Sequence, residues 1–182
     1  MKRRSGFTLV ELLVVIAIVG VIASLAMPEY QKFIDRAQSV ACISNLRQVG
    51  VGVLNYVGDN ENAYPIIEPN PDNPVYKPDE DGVEAQPMLE ALQSYGVTEQ
   101  VLKCPTDLRS GDSYFSRYQT SYQWRIILDE ENAIAPKIYG GRRGAGVRVV
   151  KPSRVTICTD FEAIHSGRLN RLYADGHVSK PY

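Results

Sequence analysis

The chain has 182 residues, of which 44% are hydrophobic, 20 are Lys or Arg and 21 are Asp or Glu. The formal charge of -1 provides no basic surface for nucleic acid, so the composition argues against a nucleic-acid-binding protein. Much of the apolar content lies near the N-terminus, and the remaining length is enough for one modest globular domain.

The apolar run from Phe7 to Met27 predicts a membrane-spanning helix, because its only ionisable residue is Glu11. At about 1.5 Å per residue such a helix is roughly 30 Å long, which matches the hydrocarbon core of a bilayer. The basic residues 2–4 precede it, so we expect a cytoplasmic N-terminus and export of everything after Pro28. A secretory signal peptide cleaved within residues 23–26 is the alternative interpretation.

Glu11 is the unusual residue of this run. A carboxylate in a spanning helix costs about 2.5–3.5 kcal/mol at the centre and less near the edge, so it needs a partner. If the chain is cut after Gly6, the new amine of Phe7 lies four residues before Glu11 on the same helix face. That amine, or the amine of a neighbouring subunit, is the predicted partner. The alternative is a glutamate that reaches the lipid headgroups and favours the helix dipole.

The hexapeptide Gly6-Phe7-Thr8-Leu9-Val10-Glu11, with its apolar continuation and Pro28, resembles the N-terminal signature of type IV prepilins and type II secretion pseudopilins. The resemblance covers about the first 30 residues of the chain. It implies that a membrane peptidase cleaves after Gly6 and that the new terminal Phe7 is N-methylated. It also implies that Glu11 is the assembly carboxylate and that Pro28 kinks the helix.

The same resemblance implies a set of partners and a location. The partners are other subunits of the same kind in a helical filament, the prepilin peptidase and methyltransferase, an inner-membrane assembly platform and the lipid bilayer. The protein is expected in the inner membrane as a single-pass protein, with its head in the periplasm. From there it would enter a periplasmic or cell-surface filament.

Beyond Pro28, apolar residues recur at three- and four-residue steps as far as Val57, which predicts that the helix continues and packs on a domain. Gly58-Asp59-Asn60 predicts its end. Residues 59–83 contain five prolines and predict an extended loop.

The second half of the chain predicts a short helix followed by strands. Pro87 suits the first position of the helix and Gly96 suits its end. Runs of β-branched and aromatic residues predict three strands, and Asp175-Gly176 predicts a two-residue hairpin turn into a fourth. The predicted strands are residues 121–128, 154–161, 168–174 and 177–179, with a flexible connection at 140–146.

These elements predict an α+β fold in which a long N-terminal helix packs against a C-terminal antiparallel sheet, as in pilins. The predicted organisation is a leader peptide at residues 1–6, a helix at 7–58 and a periplasmic head at 59–182. Within the helix, residues 7–27 form the transmembrane segment and later the filament core.

A second resemblance lies near the C-terminus. His165, nine further residues and then Asp175-Gly176 are similar to the H-x9-DG motif of a large group of prepilin-like proteins. The motif names a subgroup rather than an activity. Inner landmarks of the same group are similar to Asn45-Leu46-Arg47-Gln48, to Asn55-Tyr56, and to Cys104-Pro105 followed by Asp107.

The chain has three cysteines, and export would permit a disulfide. One possible pairing is Cys104–Cys158, which leaves Cys42 free on the helix. Buried free thiols are the alternative.

Two further patterns bear on catalysis and metal binding. Asp160, His165, Asp175 and His177 lie within 18 residues and could converge as metal ligands, although the predicted turn already accounts for Asp175. The resemblance to pseudopilins also allows a structural Ca²⁺ near the C-terminus, for which the sequence assigns no ligands. No other cofactor is expected. The chain has no nucleophile elbow and no phosphate loop, so we predict that it is not an enzyme.

The sequence therefore predicts a filament subunit that is processed after Gly6 and assembled by packing of its N-terminal helix. It leaves the choice between a secretion pseudopilus and a type IV pilus open. The alternative is a membrane-anchored periplasmic domain, with a binding or metal-dependent hydrolytic role, that does not polymerise.

Overall fold

The computed structural model describes residues 8–68, 85–109, 111–125, 133, 137–139, 147–161, 165 and 169–179. The predicted cleavage site at Gly6 and Phe7, the predicted connection at 140–146 and part of the predicted loop at 59–83 lie outside these residues. The helices are α1 (Leu9–Asp59), α2 (Met88–Leu92) and α3 (Tyr114–Tyr118). The strands are β1 (Tyr122–Trp124), β2 (Lys137–Tyr139), β3 (Val147–Val149), β4 (Thr156–Asp160), β5 (Arg171–Tyr173) and β6 (Val178–Ser179).

The long helix α1 has side-chain caps at both ends. Thr8 and Glu11 form a reciprocal capping box, because the Glu11 N–H donates to Thr8 Oγ1 at 3.3 Å and the Thr8 N–H donates to Glu11 Oε2 at 2.8 Å. At the other end the Asn60 side chain donates to the Tyr56 carbonyl at 2.8 Å. Glu61, with a φ of 52°, then has a left-handed backbone that turns the chain away from the helix. The helix includes Pro28, so the predicted continuation through this proline is confirmed.

The chain divides into two compact units, Met1–Ala37 and Gln38–Tyr182, with the boundary inside α1. The described part of the first unit is helical and has no core of its own. The apolar part of α1 is, by length and composition, long enough to cross a membrane. The predicted domain boundaries at residues 6 and 58 stay predictions.

The second unit has one hydrophobic core, built from one face of α1 and from the sheet. The helix residues of this core recur every three or four positions, as the sequence pattern predicted. Strand residues Tyr122, Ile157 and Leu172 are at most 1% exposed and complete the core. The helix contributes Cys42, Leu46, Val49, Val53 and Val57.

Among the described residues, four strands form an antiparallel sheet in the order β1-β4-β5-β6, and β2 and β3 form a separate antiparallel pair. The predicted α+β class with a C-terminal antiparallel sheet is therefore confirmed. The observed strands are shorter than the predicted ones, and a 3₁₀ turn at Pro152–Arg154 replaces the predicted start of β4. Residues 126–128 of the first predicted strand lie outside the described residues.

The predicted hairpin at Asp175-Gly176 exists, but its loop is longer than the two residues predicted. Four residues, Ala174 to His177, connect β5 to β6. Gly176 has a φ of 84°, which strains any other residue type, and its N–H donates to the Tyr173 carbonyl at 2.8 Å. The DG pair thus marks the turn correctly, whereas the turn type fixes the loop length.

Two glycines on α1 allow other elements to approach the helix closely. A Cβ on Gly50 would lie 2.8 Å from Leu172 Cδ1 and 3.3 Å from the Gly176 carbonyl oxygen. A Cβ on Gly52 would lie 2.6 Å from Val97 Cγ2. Glycine costs helix stability at these positions, and the close packing of the β5–β6 hairpin and of Val97 explains why it is present.

Candidate functional site

The first candidate site is the apolar part of α1 around Glu11. Every large aliphatic side chain from Leu9 to Met27 is at least 48% exposed. In its native environment, an apolar surface of this extent is covered either by lipid or by another protein. This part of the helix therefore fits membrane anchoring.

Glu11 lies in the first turn of α1, and the described hydrogen bonds reach only one of its two carboxylate oxygens. Oε2 accepts from the Thr8 N–H and from the Thr8 hydroxyl, both at 2.8 Å. The predicted partner, the amine of Phe7, lies outside the described residues, so this pairing stays a prediction. The capping role of Glu11 agrees with the alternative that the sequence left open, and it leaves Oε1 available to a second donor.

The second candidate site surrounds a disulfide whose partners differ from the pairing that the sequence suggested. Cys42 and Cys104 are bonded, with their Cα atoms 5.2 Å apart, and Cys158 is a buried free thiol. The considered Cys104–Cys158 disulfide is therefore wrong, and so is a free Cys42. Cys42 shares the buried face of α1 with Leu46, whereas Cys158 lies inside β4, where burial raises the pKa of its thiol.

His165, the first residue of the H-x9-DG motif, lies against this disulfide. Its side chain is buried, and Nε2 lies 3.4 Å from Cys104 Sγ and 3.6 Å from Asp160 Oδ2. The other ring nitrogen, Nδ1, lies 3.3 Å from Thr106 Oγ1. The motif histidine thus connects the disulfide loop with the end of β4.

Asp160 is the most unusual charged group of this cluster, because it is only 1% exposed. Burial raises its pKa to about 7, although the N–H of Asn170 partly offsets this by donating to Oδ2 at 2.8 Å. Within the part of the chain that the structure describes, Oδ1 has no hydrogen-bond partner. A buried carboxylate oxygen without a hydrogen-bond partner is unusual in a folded protein and needs an explanation.

The Cys-Pro-x-Asp landmark has a structural role. Asp107 is buried, and its carboxylate accepts hydrogen bonds from the Tyr114 N–H at 2.9 Å, the Phe115 N–H at 3.0 Å and the Ser121 hydroxyl at 2.6 Å. It therefore holds the start of α3 next to β1. Asn45 fastens the same loop to α1 by donating to the Lys103 carbonyl at 2.8 Å.

The remaining motif residues do not join His165. Asp175 Oδ1 lies 2.5 Å from His177 Nδ1, which makes a local pair at the surface of the hairpin. Among the described residues, the two sulfur atoms of the Cys42–Cys104 disulfide and a ring nitrogen of His165 lie within 4.8 Å of one another. Of the four residues that could converge as metal ligands, Asp160 and His165 lie close together, whereas Asp175 and His177 form a separate pair at the hairpin.

Comparison with known proteins supports the first site. Residues 1–27 match the family described as the prokaryotic N-terminal methylation motif. The N-terminal segment is type IV prepilin-like. The chain is 38% identical over 60 residues to a type IV major fimbrial protein of Dichelobacter nodosus, which is 33% of this chain and 38% of that protein. It is 44% identical over 46 residues to a fimbrial protein of Pseudomonas aeruginosa, covering 25% of this chain and 30% of that protein.

A fimbrial protein of Moraxella nonliquefaciens is 55% identical over 38 residues, which is 21% of this chain and 25% of that protein. The chain therefore spans only 25–38% of the length of these curated relatives. No solved structure matches the chain. The resemblance to type IV prepilins is confirmed, and the similarity to the H-x9-DG group stays a prediction. These relatives are described as fimbrial proteins, which favours a structural protein over an enzyme.

Proposed function

We propose that this protein is a subunit of a type IV pilus-like or type II secretion pseudopilus filament. The observation that carries the proposal is the uncovered apolar surface of residues 9–27, which coincides with the match to the methylation motif. The alternative, an anchored domain that does not polymerise, would need the same anchor. It accounts for Glu11 as a helix cap but assigns no partner to the second carboxylate oxygen.

Glu11 supplies the argument for polymerisation. Lipid tails are as apolar as leucine, so moving this helix from the bilayer into a bundle of helices gains little hydrophobic free energy. A charged pair formed only in the bundle gives assembly its preference, because an unpaired carboxylate in lipid is costly. In the proposed pair, Oε1 of Glu11 accepts from the Phe7 amine of a neighbouring subunit while Oε2 keeps its bonds to Thr8.

The proposed processing follows from the same pair. A peptidase removes residues 1–6, a methyltransferase modifies Phe7, and an assembly platform in the inner membrane moves the mature subunit into the filament. The head lies in the periplasm, and the Cys42–Cys104 disulfide is consistent with an oxidising compartment. A short, mildly acidic head favours a pseudopilin-like subunit over a pilin.

The test is the intact mass of the protein from its native membrane, combined with the yield of filaments. We expect a chain that begins at Phe7 and carries one methyl group. Glu11→Ala should leave insertion and cleavage intact and reduce incorporation into filaments. Glu29→Ala is the matched control, because Glu29 is exposed and bonded within the helix to Lys32.

Gly6→Val should block processing and leave the full-length protein in the membrane. A native chain that begins at Met1, or at a residue beyond Met27, would contradict the processing site. A correctly processed chain whose filament yield is unaffected by Glu11→Ala would contradict the role of Glu11. A processed chain that never enters a filament would support the anchored domain instead.

A further inference from the structure

We propose that the reduced chain binds Zn²⁺ through Cys42, Cys104 and His165, at the place where the oxidised chain has its disulfide. The proposal concerns the head and is independent of filament formation. In this proposal the motif histidine is a metal ligand. The disulfide and the zinc ion are then alternative states of one site.

The spacing of the ligand atoms suits a tetrahedral zinc ion. With Zn–S at about 2.3 Å and Zn–N at about 2.0–2.1 Å, sulfur and nitrogen ligands lie roughly 3.5 Å apart. Cys104 Sγ and His165 Nε2 are 3.4 Å apart. The sulfur of Cys42 needs only to separate from that of Cys104 once the bond between them is broken, and both residues are fully buried.

The second ring nitrogen of His165 is held in the way that zinc ligands usually are. Nδ1 lies 3.3 Å from Thr106 Oγ1, and the Thr106 hydroxyl donates in turn to Gln38 Oε1 at 3.5 Å. A hydroxyl that donates to Gln38 can accept the proton of Nδ1. That arrangement directs the lone pair of Nε2 towards the sulfur atoms.

Asp160 provides a second, independent observation. Its carboxylate is 1% exposed, Oδ2 lies 3.6 Å from His165 Nε2, and Oδ1 lacks a hydrogen-bond partner among the described residues. A cation beside Nε2 would lie close to both oxygens of this buried carboxyl group. Oδ2 is also close enough to become the fourth ligand after a small movement.

The chemistry of the exchange balances with a dithiol as the reductant. The dithiol gives two electrons and two protons to the Cys42–Cys104 bond and becomes a cyclic disulfide, and two thiols result. Zn²⁺ then displaces both thiol protons into solvent and forms two Zn–S bonds. Because both sulfurs are buried, we expect loading while the chain folds, before its thiols are oxidised.

The experiment uses the full chain in detergent, unfolded with a phosphine reductant and refolded without oxygen in the presence of Zn²⁺. Bound metal is counted by elemental analysis after gel filtration, and Co²⁺ replaces Zn²⁺ to report sulfur ligation by its absorption. We expect one zinc ion per reduced chain and none on the oxidised chain. His165→Gln should lose the ion, whereas His177→Gln, at the other histidine of the chain, should keep it.

Cys42→Ser should also lose the ion, and Cys158→Ala should keep it. Asp160→Asn should weaken binding by about 10–100-fold, as expected for a carboxylate next to a ligating histidine. The oxidised His165→Gln protein, with its disulfide intact, shows whether that variant folds. Zinc on oxidised wild type, no zinc on reduced wild type, or equal binding by the two histidine variants would overturn the proposal.

Discussion

The two parts of α1 have opposite relations to the rest of the chain. In the first unit Leu13 is 55% exposed, whereas in the second unit Leu46 is fully buried. Residues 12–27 of the first part carry no charged side chain on any face, whereas the second part has one apolar face with polar residues between. The second part therefore folds against its own domain, whereas the first part depends on lipid or on other molecules for its partner.

The largest expected effect comes from the same substitution made in each part. Leu46→Ala should lower the free energy of unfolding of the head by about 2–5 kcal/mol, because it leaves a cavity in the core. Leu13→Ala, measured in detergent, should change it by less than about 0.5 kcal/mol. Denaturant unfolding of the full chain, followed by the near-ultraviolet signal of the head, measures both. A similar loss from both variants would show that the first part also supports the head.

Removal of the disulfide should have the next largest effect. Cys42 and Cys104 close a loop with a sequence separation of 62, for which the chain-entropy estimate is about 4 kcal/mol. We expect the Cys42→Ala/Cys104→Ala double variant to lose about 2–4 kcal/mol without reductant, and the wild type to lose a similar amount after reduction without metal. The Cys158→Ala variant should lose as much unfolding free energy on reduction as the wild type does. Insensitivity of the wild type would mean that the cross-link adds no stability.

Replacing a glycine in each part of α1 with alanine should change the stability of the head least. Gly50→Ala should destabilise the head by about 1–3 kcal/mol, because its Cβ would meet Leu172 Cδ1 at 2.8 Å and the Gly176 carbonyl oxygen at 3.3 Å. Gly20→Ala places a Cβ where nothing lies within 4 Å and should leave the head unchanged. Midpoints of thermal unfolding compare the two variants. If Gly50→Ala stabilises the head, helix propensity outweighs the close contact.

The sequence predicted what depends on local pattern. The helix through Pro28, its end near Asn60, the turn at Gly176 and the sheet class all follow from the spacing of apolar residues and from turn residues. The ends of the strands were predicted less accurately, because they depend on hydrogen bonds to neighbouring strands as well as on the local pattern.

The pairing of cysteines could not be predicted, because it joins residues far apart in the chain. One signal was present in the sequence: Cys42 repeats the spacing of Leu46 and Val49, so it faces the core. The position of His165 beside Cys104 depends on the return of β4 to the helix, and neither residue carries a local pattern that shows it.

The disulfide also bears on how the molecule responds to being pulled. In the proposed filament, a pulling force would be able to lengthen a head only as far as its chain can be extended. The disulfide closes the segment from Cys42 to Cys104, whose sequence separation of 62 corresponds to about 200 Å of fully extended chain. While the disulfide is intact, this segment cannot extend under tension, even if the core of the head unfolds.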